Sequence, residues 1–355
     1  MKTVDPAHEE TERILKQTEK RLTREYAKAT REVHKKLTDY LRRFKIKDAK
    51  WREWVKNGKR TEEQYKAWRQ AQIAAGKRWA DLRDQIATDL VNVDKIANGI
   101  INGSKAEVYA LNHNFGTYEV ESKLGIDTSF TLYNREAVER MLTEDPDMLP
   151  PPGKKVSQEI LAGKAKRWSK QHIQSVMIQG ILQGDSIPDL ATRIAQAVGD
   201  SNRKSAIRNA RTMATGAQNA GRVDAYKRAV SRGVKMKQTW LAIVDNRTRH
   251  EHRQLDGQTV EVGKPFKIDG YNLMFPGDPK GPGYLVYNCR CTVIGQIKGY
   301  ETDVQNFDIR SDEKVKGMTY EEWKNERESE SNPITLPEEK AEAIRKWYVN
   351  QYRRG

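Results

Sequence analysis

The sequence predicts an α+β protein that is predominantly helical, with long N-terminal helices and a small Gly/Pro-rich β module near the C-terminus. Three observations support this class. Apolar residues recur with a period near 3.6 through most of residues 8–90. The segment 203–232 is rich in alanine and other small residues, which favours closely packed helices. Residues 234–298 are dense in glycine and proline, with short β-type runs between the turns.

The first helix is predicted over residues 8–47, and its apolar stripe includes Leu15, Leu22, Val33 and Leu37. A second helix is expected to run from a capping box at Thr61 and Gln64 to about residue 90. Together they would form an αα-hairpin in which the tryptophans serve packing. Residues 92–150 read as mixed, with short helices at 104–112 and 135–143 and strands at 118–120 and 130–132.

A proline run at 149–153 marks a boundary, so residues 1–153 are predicted to form a helical N-terminal region. Helices are then expected at 155–183, 188–198 and 203–232. Gly216 and Gly221 lie inside the last of them, which suggests a tight contact with another backbone.

In the β module, strands are predicted at 237–244, 259–262, 266–268 and 291–294, with a helical turn at 247–255. The helices and this module form a predicted core over 154–298. Residues 299–355 form an acidic helical tail, with helices starting near Thr319 and Pro337.

The 355 residues carry a formal net charge of +15, and this charge is unevenly placed. Residues 1–60 hold 19 Lys/Arg against 10 Asp/Glu, and residues 181–240 hold 11 against 4, whereas residues 301–355 hold 10 against 13. Clustered basic residues favour a polyanion as neighbour, although a solvated helical surface gives the same pattern. The candidate nucleic-acid-binding residues are Lys35, Lys36, Arg42, Arg43, Lys45, Lys47, Arg203, Lys204, Arg208 and Arg211.

Three classes of protein are disfavoured. No apolar run approaches the ~18–20 residues of a membrane span. The first ten residues, MKTVDPAHEE, lack the apolar stretch of a secretory signal. Two cysteines, Cys289 and Cys291, do not make a disulfide framework. We therefore expect a protein of a reducing compartment.

The most informative residues form ordered motifs. The sequence A-R-T-x-x-x-x-A-x-N-x-x-R occupies 210–222, and D-x-R-T-R-x-x-H-x-x-L-D-G occupies 245–257. A P-G-D turn at 276–278 and N-C-R-C at 288–291 follow. In this order they resemble the phage head morphogenesis family, also called minor head or Mu F-like proteins. The resemblance covers about residues 154–298.

The resemblance implies a minor structural protein of the virion that lies in the capsid interior and is made in the bacterial host cytoplasm. It implies association with the portal protein, sequence-independent contact with packaged double-stranded DNA, and a role in head assembly and in DNA packaging or ejection. A major capsid or scaffolding protein is a further partner class. Enzymatic activity, a cofactor and a membrane are not expected.

Three interpretations of the motif cluster remain open. His252, Cys289 and Cys291 are soft ligands for zinc, with His250 as a fourth. Many relatives resemble C-x-x-C where this chain has Arg249 and His252, and arginine cannot ligate. Alternatively, Asp245, His252, Asp256 and Asp278 could be arranged as a hydrolytic or nuclease site. The alternative function is then a metal-dependent (zinc) hydrolase or nuclease that uses the His252, Cys289 and Cys291 cluster.

The third interpretation is structural, and it is preferred. Asp245 would pair with Arg247 and Arg249, His252 would donate to the N-C-R-C turn, and Gly257 would adopt a positive φ. The residues assigned to this structural motif are Asp245, Arg247, Arg249, His252, Asp256, Gly257, Asn288, Cys289, Arg290 and Cys291.

Overall fold

A computed structural model describes residues 6–125, 132–145, 148, 158–298 and 320–330, with backbone only at 158–163 and 329–330. Within these ranges the helices are α1 (Pro6–Arg42), α2 (Lys45–Lys56), α3 (Glu62–Ile73), α4 (Lys77–Leu124), α5 (Arg135–Glu144), α6 (Gln158–Leu182), α7 (Ile187–Ser231), α8 (His250–Leu255), α9 (Gly283–Val286) and α10 (Tyr320–Glu330). The strands are β1 (Met236–Leu241), β2 (Thr259–Glu261), β3 (Phe266–Ile268), β4 (Tyr271–Leu273) and β5 (Thr292–Ile297). The predicted α+β class is confirmed.

Three long helices, α1, α4 and α7, form the body of the molecule. At 1.5 Å per residue, their 37, 48 and 45 residues extend about 55, 72 and 67 Å. Thr18 contacts Ser104 at 2.6 Å, and Tyr26 donates to Asp94 at 2.7 Å, so α1 runs antiparallel to α4. Shared apolar clusters place α4 and α7 parallel to each other.

The bundle is widest at the end formed by the C-terminal part of α1. There α6 joins the three long helices, and leucine, isoleucine and aromatic side chains fill one large cluster. Trp79, Leu37 and Leu190 are almost completely buried in it. Burial of such side chains contributes about 1.5–3 kcal/mol each, so this cluster is a principal source of stability.

The long helices are continuous where the sequence predicted breaks. The predicted strand at 118–120 is wrong, because α4 runs through it to Leu124. The predicted interruption between 198 and 203 is also wrong, because α7 is a single helix. The polar residues there remain helical since Gly199 and Asn202 are buried in the bundle, and tertiary packing overrides their weak propensity. The predicted strand at 130–132 falls mostly outside the described residues.

A short hairpin, α2 and α3, projects after α1 ends at Arg42. The capping box at Thr61 and Gln64 is present at the start of α3, as predicted. Trp51 stacks on Trp68 at a centroid distance of 5.4 Å and meets Trp54 edge-on at 5.4 Å. The tryptophans therefore pack against each other, but in this hairpin and not along one long second helix.

The β module follows α7. Its main sheet has the order β2-β1-β5, and all its pairings are antiparallel. β3 and β4 form a separate hairpin. Trp240, Phe266, Leu285 and Val293 are buried in the module's apolar cluster. The strand predicted at 266–268 is found with its predicted bounds, the other three predicted strands are found with shifted ends, and β4 was not predicted.

The helix predicted near Thr319 is found as α10, which packs against α4. Trp323 Nε1 donates to Glu121 Oε2 at 2.8 Å. The second predicted tail helix lies outside the described residues. Among the helices that the structure describes, none combines the length and apolar content needed to cross a membrane.

Candidate functional site

The motif residues converge at a cleft between α1, α7 and the β module. We call this the motif cleft; its volume is about 470 Å³. α1 and α7 contribute Glu12, Lys16, Glu19, Arg211 and Thr215. The module contributes Ile243, Arg247, Thr248, Arg249, His252, Asn288, Cys289, Arg290 and Cys291.

The motif on α7 positions the N-C-R-C turn by hydrogen bonds. Thr215 donates to the Cys289 carbonyl at 2.6 Å, and the Asn288 amide donates to Thr212 at 3.2 Å. Asn219 donates to the Cys291 carbonyl at 3.1 Å and accepts from the Val293 amide at 2.8 Å. The two distant motifs are therefore two sides of one packing interface.

The P-G-D turn closes against the same helix. Gly277 has φ +79°, and an added Cβ there would lie 2.8 Å from the Gly216 amide nitrogen. Asn219 also donates to the Pro276 carbonyl at 3.1 Å. The close backbone contact predicted at Gly216 is confirmed, and a side chain at either glycine would separate the turn from α7.

Asp245 contacts three residues that line the cleft, Arg247, Thr248 and Arg290, and its closest partner is the arginine that was not predicted to pair with it. Arg290 donates to both Asp245 carboxylate oxygens at 2.7 Å. This bidentate pair holds the pKa of Asp245 well below its usual range. Arg247 comes only within 3.8 Å of the carboxylate, and Arg249 donates instead to the Tyr287 carbonyl at 2.5 Å. Arg290 is therefore the main partner of Asp245, Arg247 keeps the predicted ion pair at a longer distance, and the predicted pairing with Arg249 is wrong.

The other carboxylates considered for catalysis are engaged in turns. Asp256 accepts from the Ala242 amide at 2.8 Å. Asp278 is buried and accepts from the amides of Met274 and Lys280 at 2.8 and 2.9 Å. Gly257 adopts φ +79°, as predicted for the turn after Asp256. This geometry matches the structural interpretation of both aspartates.

His252, Cys289 and Cys291 form a buried cluster at the floor of the cleft. Their ligand atoms all lie within 4.8 Å of one another. His252 Nε2 is 2.8 Å from the Leu285 carbonyl oxygen, which can only accept a hydrogen bond. Nε2 therefore carries the proton, and Nδ1 presents its lone pair to the two sulfur atoms.

The two thiols differ in their surroundings. The hydrogen bond with the Cys291 side chain lowers the pKa of Cys289, although burial opposes this. The Cys291 amide, 3.4 Å from the Cys289 sulfur, and the nearby Arg249 and Arg290 act in the same direction. The hydrogen bond with the Cys289 side chain, together with burial, raises the pKa of Cys291. His250 is exposed, lies within 2.9 Å of Gln254, and is not part of the cluster.

The candidate DNA-binding residues occupy α1, α2 and α7. Within the described part of the chain, Lys35, Lys45, Lys47 and Lys204 are exposed and have no ion pair. The remaining candidates contact the protein: Lys36 pairs with Asp89, Arg42 with Asp39, Arg203 with Asp200 and Arg211 with Glu19, while Arg43 lies over Tyr40 and Arg208 over Tyr287. Contact with nucleic acid stays a prediction for all ten residues.

Buried polar residues along the bundle were not predicted as part of the site. Arg222 Nε donates to Asn112 at 3.1 Å, and Asn112 donates to Thr11 at 2.8 Å. The sequence identified Arg222 only as the last position of the helix motif at 210–222. Its partner Asn112 has no sequence signal, since it lies more than one hundred residues away in the chain.

Comparison with known proteins agrees with this geometry. The model of the family described as Phage Mu protein F like protein matches residues 171–294, which include α7 and the β module through β5. No solved structure matches the chain.

Three relatives share longer segments. The chain is 24% identical over 323 residues to the minor head protein GP7 of Bacillus phage SPP1, covering 89% of this chain and 94% of that protein. It is 29% identical over 218 residues to the NAD(+)–arginine ADP-ribosyltransferase EFV of Enterococcus faecalis, covering 61% of this chain and 43% of that protein. An uncharacterized protein of Haemophilus influenzae is 28% identical over 233 residues, covering 66% of this chain and 45% of its own length.

The chain thus spans less than half the length of the Enterococcus and Haemophilus proteins, but nearly all of the phage protein. The resemblance inferred from the ordered motifs is confirmed. The segment that matches the Phage Mu protein F like family model, residues 171–294, contains the motifs that build the α7–β5 interface.

Proposed function

We propose that this chain is a minor head protein of a phage, carried in the capsid interior and associated with the portal, where it assists head assembly and DNA packaging or ejection. The observation that carries the proposal is the alignment with minor head protein GP7, which extends beyond the family region to 89% of the chain. Since only 11% of the chain lies outside this alignment, the shared length reaches well beyond residues 171–294. The role is structural, so no enzymatic step is required.

The aspartates of the motif segments support a structural role. Asp245, Asp256 and Asp278 each accept hydrogen bonds from an arginine or from backbone amides. A carboxylate held in this way stabilises turns. It is poorly placed to serve as a general base or to exchange a metal ion.

We also propose that the chain contacts packaged DNA through phosphates and without sequence preference. Exposed lysines at the α1–α2 end of the bundle support this proposal. Phosphate contacts by flexible lysines give affinity but carry no base information. Lys35, Lys45 and Lys47 lie outside the motif segments, whereas the candidate Arg211 on α7 lines the motif cleft.

Salt dependence tests the DNA contact. The full chain should bind double-stranded DNA at ~50 mM salt, and the logarithm of its affinity should fall steeply with the logarithm of salt concentration. Replacing Lys35, Lys45 and Lys47 together by glutamine should reduce the slope by about three, since each phosphate contact contributes about one. Replacing the exposed lysines of the β module, Lys264, Lys267 and Lys280, provides the matched control. Equal slopes for both triple variants, or no binding at low salt, would refute the assignment.

Association with the portal has its own test. The less basic half of the bundle and the acidic tail suit protein partners. Co-expression of this chain with the tagged portal protein of the same phage should give a complex that survives washing at salt concentrations that remove DNA. A chain that elutes with the DNA and leaves the portal bare would contradict portal binding and would point to a capsid or scaffolding partner.

The second candidate function is enzymatic. One observation favours it: His252, Cys289 and Cys291 converge at the floor of an open cleft. A metal-dependent hydrolase or nuclease at this cluster would cleave DNA or a model ester only when metal is present, and the activity would disappear in the His252→Gln variant. Incubation with NAD⁺ and an arginine-containing acceptor tests the activity named for the Enterococcus relative. The proposed structural role predicts no turnover in either assay.

A further inference from the structure

We propose that His252, Cys289 and Cys291 form a zinc site with three protein ligands and a fourth position that faces the motif cleft. The proposal stands on the side-chain geometry and does not depend on the role of the chain in a phage head.

The ligand spacing fits tetrahedral zinc. Zn–S and Zn–N bonds of about 2.3 and 2.05 Å at a tetrahedral angle place sulfur and nitrogen about 3.5 Å apart. Cys291 Sγ lies 3.3 Å from His252 Nδ1, and Cys289 Sγ lies 3.8 Å from the same atom. Both sulfur–nitrogen distances are within a few tenths of an ångström of this value, and all three ligand atoms lie within 4.8 Å of one another, so one ion can be placed among them.

The groups around the ligands are already oriented for a metal ion. A histidine that binds metal usually donates its other ring nitrogen to a carbonyl or carboxylate, which fixes the tautomer and the ring orientation. His252 Nε2 does so with the Leu285 carbonyl at 2.8 Å. The Cys291 amide donates to the Cys289 sulfur at 3.4 Å, a contact that stabilises a thiolate.

The ligands are buried and their backbone is anchored. All three side chains are only 3% exposed. The carbonyls of Cys289 and Cys291 accept hydrogen bonds from Thr215 and Asn219 of α7. A metal ion would consequently join α8, which carries His252, to the turn that is fixed on the long helix.

The ligand chemistry selects the ion. Two thiolates and an imidazole favour zinc over magnesium, calcium or manganese, which prefer oxygen ligands. Among the described residues no further His, Cys, Asp or Glu joins the group. The fourth position therefore falls to a water molecule that enters from the cleft.

Metal analysis of the full-length reduced chain tests the site. We expect about one zinc ion per chain, since one tetrahedral site is present. Replacing zinc by cobalt should produce thiolate-to-metal charge-transfer absorption in the near ultraviolet and ligand-field bands in the visible spectrum. Both signals report the ligands directly and need no functional assay.

Variants then assign the ligands. Cys289→Ser, Cys291→Ser and His252→Gln should each weaken zinc binding by more than the ~10–100-fold expected from loss of a second-layer partner. His250→Gln is the matched control, because His250 is an exposed histidine two positions away, and it should bind zinc normally.

Measurements on the wild-type chain alone can refute the proposal, so the test does not depend on whether the variants fold. Zinc far below stoichiometry, together with no cobalt–thiolate absorption in the folded reduced chain, would refute it. A Cys289–Cys291 disulfide that forms equally in the presence and absence of zinc, detected as a mass loss of two hydrogens, would refute it as well.

Discussion

Gly221 lets two long helices approach within backbone contact. A Cβ added at Gly221 in α7 would lie 2.5 Å from the Tyr109 carbonyl oxygen and 3.0 Å from the His113 amide nitrogen, both in α4. Neither group can move without displacing the helix. We expect Gly221→Ala to lower the free energy of unfolding by about 1–3 kcal/mol, the usual effect of overpacking. Thermal or urea denaturation measures it.

Gly99 supplies the control for this substitution. It lies in α4 with nothing within 4 Å of an added Cβ. Gly99→Ala should therefore raise stability by up to about 1 kcal/mol, because alanine favours the helix. If both substitutions stabilise the protein, the close contact at Gly221 is wrong.

His113 should make the stability depend on pH. Burial, followed by the nearby Arg228, lowers its pKa to about 4. Between pH 6.5 and 4 the unfolded chain binds a proton that the folded chain does not, so stability rises with pH in this window. The contribution is complete above pH 6.5 and is lost as the pH falls toward 4, on the order of 3 kcal/mol in total.

Denaturation of His113→Gln over this pH range tests the effect. His113 Nε2 lies 3.6 Å from Asp224, and Tyr133 stacks on its ring at 4.0 Å. The raised pKa of Asp224 has the opposite effect on the pH dependence of stability. We expect this pKa to change little in His113→Gln, so the difference in slope between wild type and variant reports the contribution of the histidine. His250→Gln should keep the wild-type slope; an unchanged slope in His113→Gln would rule out the buried neutral histidine.

The sequence predicted single residues well where backbone chemistry decides. Gly216 and Gly221 were predicted to lie against another backbone, and Gly257 was predicted to adopt a positive φ. Glycine permits both arrangements because it has no side chain. The partner of Asp245 was not, because the choice between Arg247, Arg249 and Arg290 depends on the turn at 288–291. Asn288 in that turn has φ +53°, which aims the following residues at the cleft.

At the scale of elements, Asn219 joins α7 to the β module. Its side chain donates to the Pro276 and Cys291 carbonyls and accepts from the Val293 amide. We expect Asn219→Ala to destabilise the protein by on the order of 3 kcal/mol, because several buried backbone groups lose their partners. Hydrogen exchange in β5 should accelerate first.

Asn209 offers the comparison on the same helix. It is exposed, and its replacement by alanine should change stability by less than about 0.5 kcal/mol. Equal effects of the two substitutions, or unchanged exchange in β5, would contradict the role given to Asn219.

Element boundaries were the least predictable part of the fold. Hydrophobic periodicity located α1 because this helix has one buried face. It failed in α4 and α7, whose central parts bury several sides at once and use alanine, glycine and polar residues such as Asn112 and Asn219. The sequence of such a helix shows no single apolar stripe, so its polar stretches were interpreted as breaks between helices.

At the scale of the whole molecule, the bundle and the β module form one continuous arrangement. α1 and α4 come from the predicted N-terminal region, yet both pack along α7 of the predicted core. The division at residue 153 stays a prediction about the chain. The contacts between these helices were not predictable from the sequence, since they join residues separated by more than one hundred positions.

Part of the basic charge lies away from the motif cleft. Lys35, Lys45 and Lys47 are near one end of the bundle, whereas the motif cleft adjoins the N-terminal half of α1. The three lysines proposed to contact DNA are thus separate from the junction that the motifs build, although Arg211 of the same candidate set lines the cleft. Charge counting identified the lysines as candidates, and the ordered motifs located the junction.

The central claim is that the chain is an internal component of a phage head. Its most direct test is protease treatment of purified DNA-filled heads from the phage that encodes it, before and after the heads are opened, with peptides of this chain quantified by mass spectrometry. We predict that the chain is present in the heads and resists protease until they are opened. Its absence from purified heads, or equally rapid degradation in intact and opened heads, would contradict the claim.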